Sequence, residues 1–354
     1  MDKRIACGPP AGKIAVAVID LAFWTLWLRD QSLPLWADAG YEAATGSFVE
    51  RLGMDGAPQP DVPRRVMVQA RQIHAFATAA QNGWHPAGAE MALRAGDTMI
   101  ARYAVSGADK GWAFSCNRQG AVVDSRRDLY AQAFVLLALA ALIQLDPQPR
   151  YLALVRQTLG FLDRDMAHPA GGYAESWPNT VLPRRQNPHM HLLEALLALH
   201  ETGRAGDLTP RIIAMLDLFD RRFFSTTDAV LTEFFDADLA PENPARSFEA
   251  GHHFEWVWLL SRAAKLACLP TEATSRALLQ SGLRGIDPDG RVVEQTGPQG
   301  PTVRSRRLWC SMETVKALSL PAGRAIRPAG VPQVLAAAWH DFTCLLYTSP
   351  SPRD

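Results

Sequence analysis

The stretch Ser247–Leu260, SFEAGHHFEWVWLL, sets two histidines and a glutamate at the head of an otherwise apolar helical run. On a helix, His252 and Glu255 fall three residues apart and share a face, whereas His253 points elsewhere. A carboxylate one turn from an imidazole holds it in one tautomer and raises its pKa, which suits a general acid/base. Gly251 fits the start of that helix. The same residues would also fit a helix start whose polar groups simply face water.

Working outward, the body of the chain carries further helical patterns. YAQAFVLLALAALIQL, HLLEALLALHE, RIIAMLDLFDRRFF, FEWVWLLSRAAKLA and EATSRALLQSGLRG are Ala/Leu-rich and long enough for helices. Between them recur short segments of glycine, aromatic and acid: TGSFVE ending at Glu50, KGWAFS at Ser115, GGYAES with Glu175, VLTEFF with Glu233 and GRVVEQ with Glu294. Successive copies stand about sixty residues apart, room for two ordinary helices and their loops. The chain therefore reads as repeated helix pairs, each with one inner and one outer helix and a short extended piece at the turn. Closed into a ring, such pairs give an all-α fold, an (α/α)6 barrel. Five copies are visible, so the last helix pair is expected to be incomplete.

Composition adds few constraints. The 354 residues are 48% hydrophobic, and 36 basic residues balance 36 acidic ones. Nucleic acid is therefore not an expected partner. The five cysteines are scattered without a CxxC pair, as in a reduced, cytoplasmic protein. Ile14–Leu28, IAVAVIDLAFWTLWL, carries Asp20 and is short for a membrane span, so it reads as a buried first helix. The expected division is a disordered segment 1–13, a single barrel domain 14–342 and a non-native tail 343–354.

Gly251-His252-x-x-Glu255-Trp256 resembles the N-acylglucosamine 2-epimerase family of sugar isomerases and epimerases. VMVQARQIHAF (Val66–Phe76), RRQNPHMHLLEALLALHE (Arg184–Glu201) and RLWCSMETVKA (Arg307–Ala317) agree with it in the same order. The resemblance covers roughly residues 30–320 and implies the same barrel. It implies metal-independent proton transfer at C2 of a mannose-like hexose through a cis-enediol, with no cofactor. The expected partner is a small sugar, with a homodimer as the candidate assembly.

On this reading His252 is the first acid/base group, with Glu255 as its orienter or a hydroxyl ligand. Asn187 and His191, four residues apart, face one cavity, and Glu194 extends that face. His189 is turned away, so a zinc site on His189 and His191 is not expected. Arg71, read as lying on a buried face, would stabilise substrate oxygens. Tyr130, Trp177, Trp309 and Glu313 complete the expected sugar contacts. Ser311 stands where relatives typically carry glutamine, a change that would bear on substrate choice. Relatives also carry a second catalytic histidine in a Tyr-His pair near the C-terminus. None follows Trp309 here, and His340 in Trp-His-Asp is not given that role. Two other classes stay open: a glycoside hydrolase with paired carboxylates, for which Glu175, Glu233 and Glu255 are candidates, or an inactive helical scaffold.

Overall fold

The computed structural model describes residues 19–242, 247–267, 271–327 and 329–342. The expected disordered segment 1–13 and non-native tail 343–354 lie outside the described residues, as do Cys7, Cys268 and Cys344.

Helices dominate: α1 (Leu21–Trp27), α2 (Leu33–Leu35), α3 (Val66–Gln81), α4 (Gly88–Tyr103), α5 (Leu129–Leu145), α6 (Pro149–Phe161), α7 (Gln186–Glu201), α8 (Thr209–Leu218), α9 (Ala250–Ala267), α10 (Glu272–Gly282), α11 (Leu308–Leu318), α12 (Pro321–Ile326) and α13 (Gly330–Phe342). Helices α3, α5, α7, α9 and α11 pack side by side in that order as an inner layer. Each leans on the outer helix that follows it: α4, α6, α8, α10 and, for α11, α13. This is the (α/α)6 barrel arrangement. Its centre is most apolar at α5, where Leu129, Val135, Leu136, Leu139 and Leu142 are fully buried; a helix hydrophobic all round belongs in a core.

The first helix differs from its expectation. Asp20 caps it by accepting from the Phe23 amide at 2.9 Å, so α1 starts at Leu21, and 14–18 of the expected helix lie outside the described residues. Trp24 is buried, but Leu21 and Leu26 are exposed. Its role is in the outer layer: Phe23 packs edge-on against Trp339 of α13 at 4.6 Å, and Trp24 Nε1 donates to Leu335 O at 3.3 Å. Two other boundaries move. Helix α7 starts at Gln186, ahead of HLLEALLALHE, and α8 gives way at Phe219 to a wider turn over Phe219–Phe223.

The recurrent glycine–aromatic–acid segments form small antiparallel ladders at the starts of the inner helices. Arg64–Arg65 pairs with Ser115–Cys116, Arg184–Arg185 with Phe234–Phe235, and Phe248–Glu249 with Gln295–Gly297. A side chain in the first turn of each following helix ties a segment down. Gln69 donates to Phe48 O at 2.8 Å and accepts from Phe48 N at 2.9 Å; Gln132 does the same with Trp112, both at 3.0 Å. In α7 and α9 the slot holds histidine. His189 Nε2 accepts from Tyr173 N at 3.0 Å, and His253 Nε2 from Leu231 N at 3.2 Å. Burial pushes these imidazoles down, to about 4 and about 3, so they are neutral fasteners.

Gly251 is explained by packing rather than by helix start. A Cβ there would stand 2.5 Å from Trp309 Cζ3 and 3.0 Å from Cys310 Sγ, so glycine lets α11 approach α9. Gly251→Ala is expected to cost about 1–3 kcal/mol, as overpacking does, and thermal unfolding would measure it.

Candidate active site

The expected site residues sit within the first three turns of the inner helices, at one end of the barrel: Arg71 on α3, Tyr130 on α5, Asn187, His191 and Glu194 on α7, His252 and Glu255 on α9, Trp309 and Glu313 on α11. The ladders that precede these helices fix where each one starts.

His252 is buried and held by a residue from outside its helix. Its Nδ1 lies 2.9 Å from Glu233 Oε2. Glu233 is fixed in turn by the Gln186 side chain at 2.9 Å and the Glu249 amide at 3.2 Å. Trp256 Nε1 donates to Gln186 Oε1 at 2.8 Å, which orients that amide. Trp309 lies against the imidazole, with ring centroids 5.1 Å apart. Burial opposes the charge on His252, but Glu233 outweighs it, with Glu249 and Glu255 adding, and the imidazole is raised to about 9. It is therefore a cation at neutral pH, with one proton on Nδ1 toward Glu233 and another on Nε2.

His191 is the opposite case. Its Nδ1 is 3.0 Å from Glu194 Oε2 and 3.6 Å from Glu255 Oε1. Tyr130 and Phe134 enclose the ring at centroid distances of 5.0 and 4.6 Å. Burial lowers its pKa, partly offset by Glu194, with Arg71 and His252 lowering it further. Burial would raise Glu194, but the His191 hydrogen bond and the charge of Lys316 hold it down to about 2. An ionised Glu194 requires the proton on Nδ1, which leaves Nε2 with its lone pair. The site therefore sets a His252 favoured as the cation beside a His191 favoured as the neutral ring, each held at Nδ1 by a carboxylate.

The expectation that Glu255 orients His252 is corrected. Glu255 turns toward His191, and burial with the adjoining charge of Glu194 raises it to about 7. Glu313 is also raised to about 7, by burial and by Glu255, and Lys316 Nζ meets it at 2.6 Å. Arg71 is likewise not on a buried face. It is exposed, with its guanidinium 4.7 Å over the Phe134 ring and Nη1 3.3 Å from Tyr130 Oη. Asn187 presents a buried Oδ1 with no hydrogen-bond partner. Trp177 stands apart from the cluster: its ring packs on Phe161 at 6.0 Å and under Arg127 at 5.2 Å.

Ser311 takes a different meaning. It occupies the slot on α11 that Gln69, Gln132, His189 and His253 occupy on the other inner helices, four residues after the one preceding the helix. It is buried, at the position that on those helices fastens a turn segment. The departure from glutamine thus falls on a fastening position.

Sequence reading missed Glu233 as the partner of His252, and it missed Glu249, Gln186 and Lys316 altogether. The recurrence of an acid in the turn segments was the available signal. As for an ion, His191, Glu194 and Glu255 offer donor atoms within 4.8 Å of one another. The same atoms make the 3.0 Å imidazole–carboxylate hydrogen bond, with Lys316 already balancing Glu313. Among the described residues no helix is long and apolar enough to cross a membrane, and the free cysteines Cys116 and Cys310 are buried.

Comparison with known proteins agrees with this architecture. A mannose-6-phosphate isomerase of Rhizobium meliloti is 36% identical over 309 residues, 82% of this chain and 77% of that protein. A D-mannose isomerase of Thermobifida fusca is 27% identical over 333 residues, 84% of this chain and 80% of that one. The solved structure of a cellobiose 2-epimerase from Bacillus thermoamylovorans superposes with a TM-score of 0.79 at 19% identity, covering 94% of this chain and 90% of that one; it supports the fold. The profile of the N-acylglucosamine 2-epimerase (GlcNAc 2-epimerase) family matches residues 46–349. The chain belongs to this family, one of sugar isomerases and epimerases.

Proposed function

We propose that the chain interconverts a mannose-type aldose and its ketose by proton transfer at C2, with His191 and His252 as the acid/base pair. The observation that carries this reading is two buried imidazoles in one site, each held at Nδ1 by a carboxylate, in surroundings that lower the pKa of His191 and raise that of His252. Two titratable groups whose surroundings push their pKa values apart suit the separate roles of acid and base.

His191 Nε2, unprotonated, takes the C2 proton. His252, protonated on Nε2, gives a hydrogen bond and then a proton to the carbonyl oxygen as the cis-enediol forms. In the second half His191 gives its proton to C1 while His252 takes the proton of the C2 hydroxyl, which leaves the ketose and restores both imidazoles. Arg71 and Tyr130 stand at the same edge and meet substrate oxygens, and the unpartnered Asn187 Oδ1 accepts from a sugar hydroxyl. Trp309 gives the ring an apolar wall. Glu255, near neutrality, tunes His191: when it ionises, a second negative charge stands beside the imidazole. The buried thiols of Cys116 and Cys310 suit a cytoplasmic enzyme.

The hydrolase reading is disfavoured by the same geometry. Glu194 and Glu255 are close enough to resemble a glycosidase pair, but His191 lies between them at 3.0 and 3.6 Å. That fills the gap where a glycosidic bond would have to sit.

The test is incubation with mannose in deuterated water, followed by proton NMR at C2. Deuterium should enter at C2 and a ketose should accumulate, and both should survive exhaustive dialysis against a chelator. Loss of exchange on dialysis, restored by a divalent ion, would transfer the chemistry to an ion on Glu194 and Glu255. Release of reducing ends from an oligosaccharide without C2 exchange would favour the hydrolase.

A further inference from the structure

The repeat that builds the barrel also carries a device that one copy has altered. The residue just before an inner helix is Arg65, Asp128, Arg185, Glu249 or Arg307. In three copies this arginine is paired with the glutamate of its turn segment. Glu50 accepts from the Arg65 amide at 2.8 Å and Nε at 2.6 Å; Glu175 accepts from the Arg185 amide at 2.6 Å and Nε at 3.0 Å. Glu294 accepts from the Arg307 guanidinium. In the copy before α5 both members differ: Phe114 stands where the acid would be, and Asp128 caps the Ala131 amide at 3.0 Å.

The copy before α9 is the informative one. Glu233 still accepts from the backbone amide of the residue before the helix, at 3.2 Å. That residue is Glu249, and among the described residues no guanidinium takes the second carboxylate oxygen. Instead, Glu233 Oε2 holds His252 at 2.9 Å, and Glu249 itself comes to 4.0 Å from the same imidazole nitrogen.

We propose that Glu249 is a positioning residue: an acid in the slot that elsewhere binds the turn glutamate with arginine leaves Glu233 to His252. It does not touch substrate; it acts through Glu233 and through its own charge. This rests on His252 serving as the acid of the proposed reaction. Among the described residues the charged groups facing His252 are Glu233, Glu249, Glu255, His191 and, beyond Glu249, the Arg307–Glu294 pair. The Glu249 slot holds arginine in three other copies, as Arg65, Arg185 and Arg307.

The experiment titrates His252 directly by NMR in the full chain labelled with 15N-histidine, its signals assigned by their loss in His252→Asn. In Glu249→Arg, the new guanidinium should capture Glu233. The His252 pKa should fall by about one unit or more, and the basic limb of kcat/KM should move down with it, a loss of about tenfold above that limb. Glu249→Gln, similar in shape, should give a smaller shift in the same direction, because Glu233 stays on His252. It also serves as the readout if Glu249→Arg does not fold. A His252 titration unchanged in Glu249→Arg, or in Glu249→Gln where only that variant folds, overturns the proposal. A wild-type chain that exchanges no C2 deuterium while His252 still shifts in Glu249→Arg would sink the isomerase reading and leave this one standing.

Discussion

Replacing His252 with asparagine is expected to lower kcat by roughly 10²–10⁴-fold, the range for removing a positioned general acid/base, with little change in KM. Asparagine can still donate to Glu233, so the Gln186–Glu233 network should survive and the variant should fold. Wild-type activity should fall as pH rises through about 9, where His252 loses its proton; the variant should lack that limb. Stability follows the same sign. A folded-state pKa raised above the usual histidine value contributes stability that is complete below about 6.5 and is lost as pH rises through about 9. The His252→Asn chain should therefore unfold with a flatter dependence on alkaline pH. Unchanged turnover in His252→Asn would remove the histidine from the chemistry.

His191→Asn is the second large effect, again roughly 10²–10⁴-fold in kcat, with the opposite pH signature. Because burial lowers His191 below its ordinary value, wild-type kcat/KM should rise with pH on a limb below about 6.5. That limb should disappear in the variant. The substitution also strips Glu194 of its hydrogen bond, so Glu194 should titrate upward as Glu255 and Glu313 already do. Primary deuterium isotope effects at C2 would separate the two variants: the effect on kcat should grow when the base is lost and change less when the acid is lost.

Much of this was legible in the sequence. The spacing of the turn acids from Glu50 to Glu294 gave the repeat, and the helical runs gave the inner and outer layers. The positions of Arg71, His191, His252 and Trp309 on successive inner helices followed. What sequence could not supply was the partner of each imidazole. Helical spacing brings Glu194 under His191, and that pairing is present at 3.0 Å. The same spacing pointed to Glu255 under His252, whereas the true partner, Glu233, is nineteen residues away on the preceding turn. Periodicity describes one helix face and carries no information about a loop folding over it. Arg71 was misjudged for a related reason, since an arginine among apolar residues can lay its stem on a ring such as Phe134 and keep its head in solvent.

All five inner helices among the described residues begin at the same end of the ring. Each start carries a fixed partial positive charge of about half a unit. A negative oxygen arising during enolisation would be born inside that shared field, which needs no side chain to sustain it. A chain stripped of both imidazoles should consequently still enolise a bound sugar faster than water alone does. That slow background would belong to the backbone, and it would have been available before any histidine was recruited.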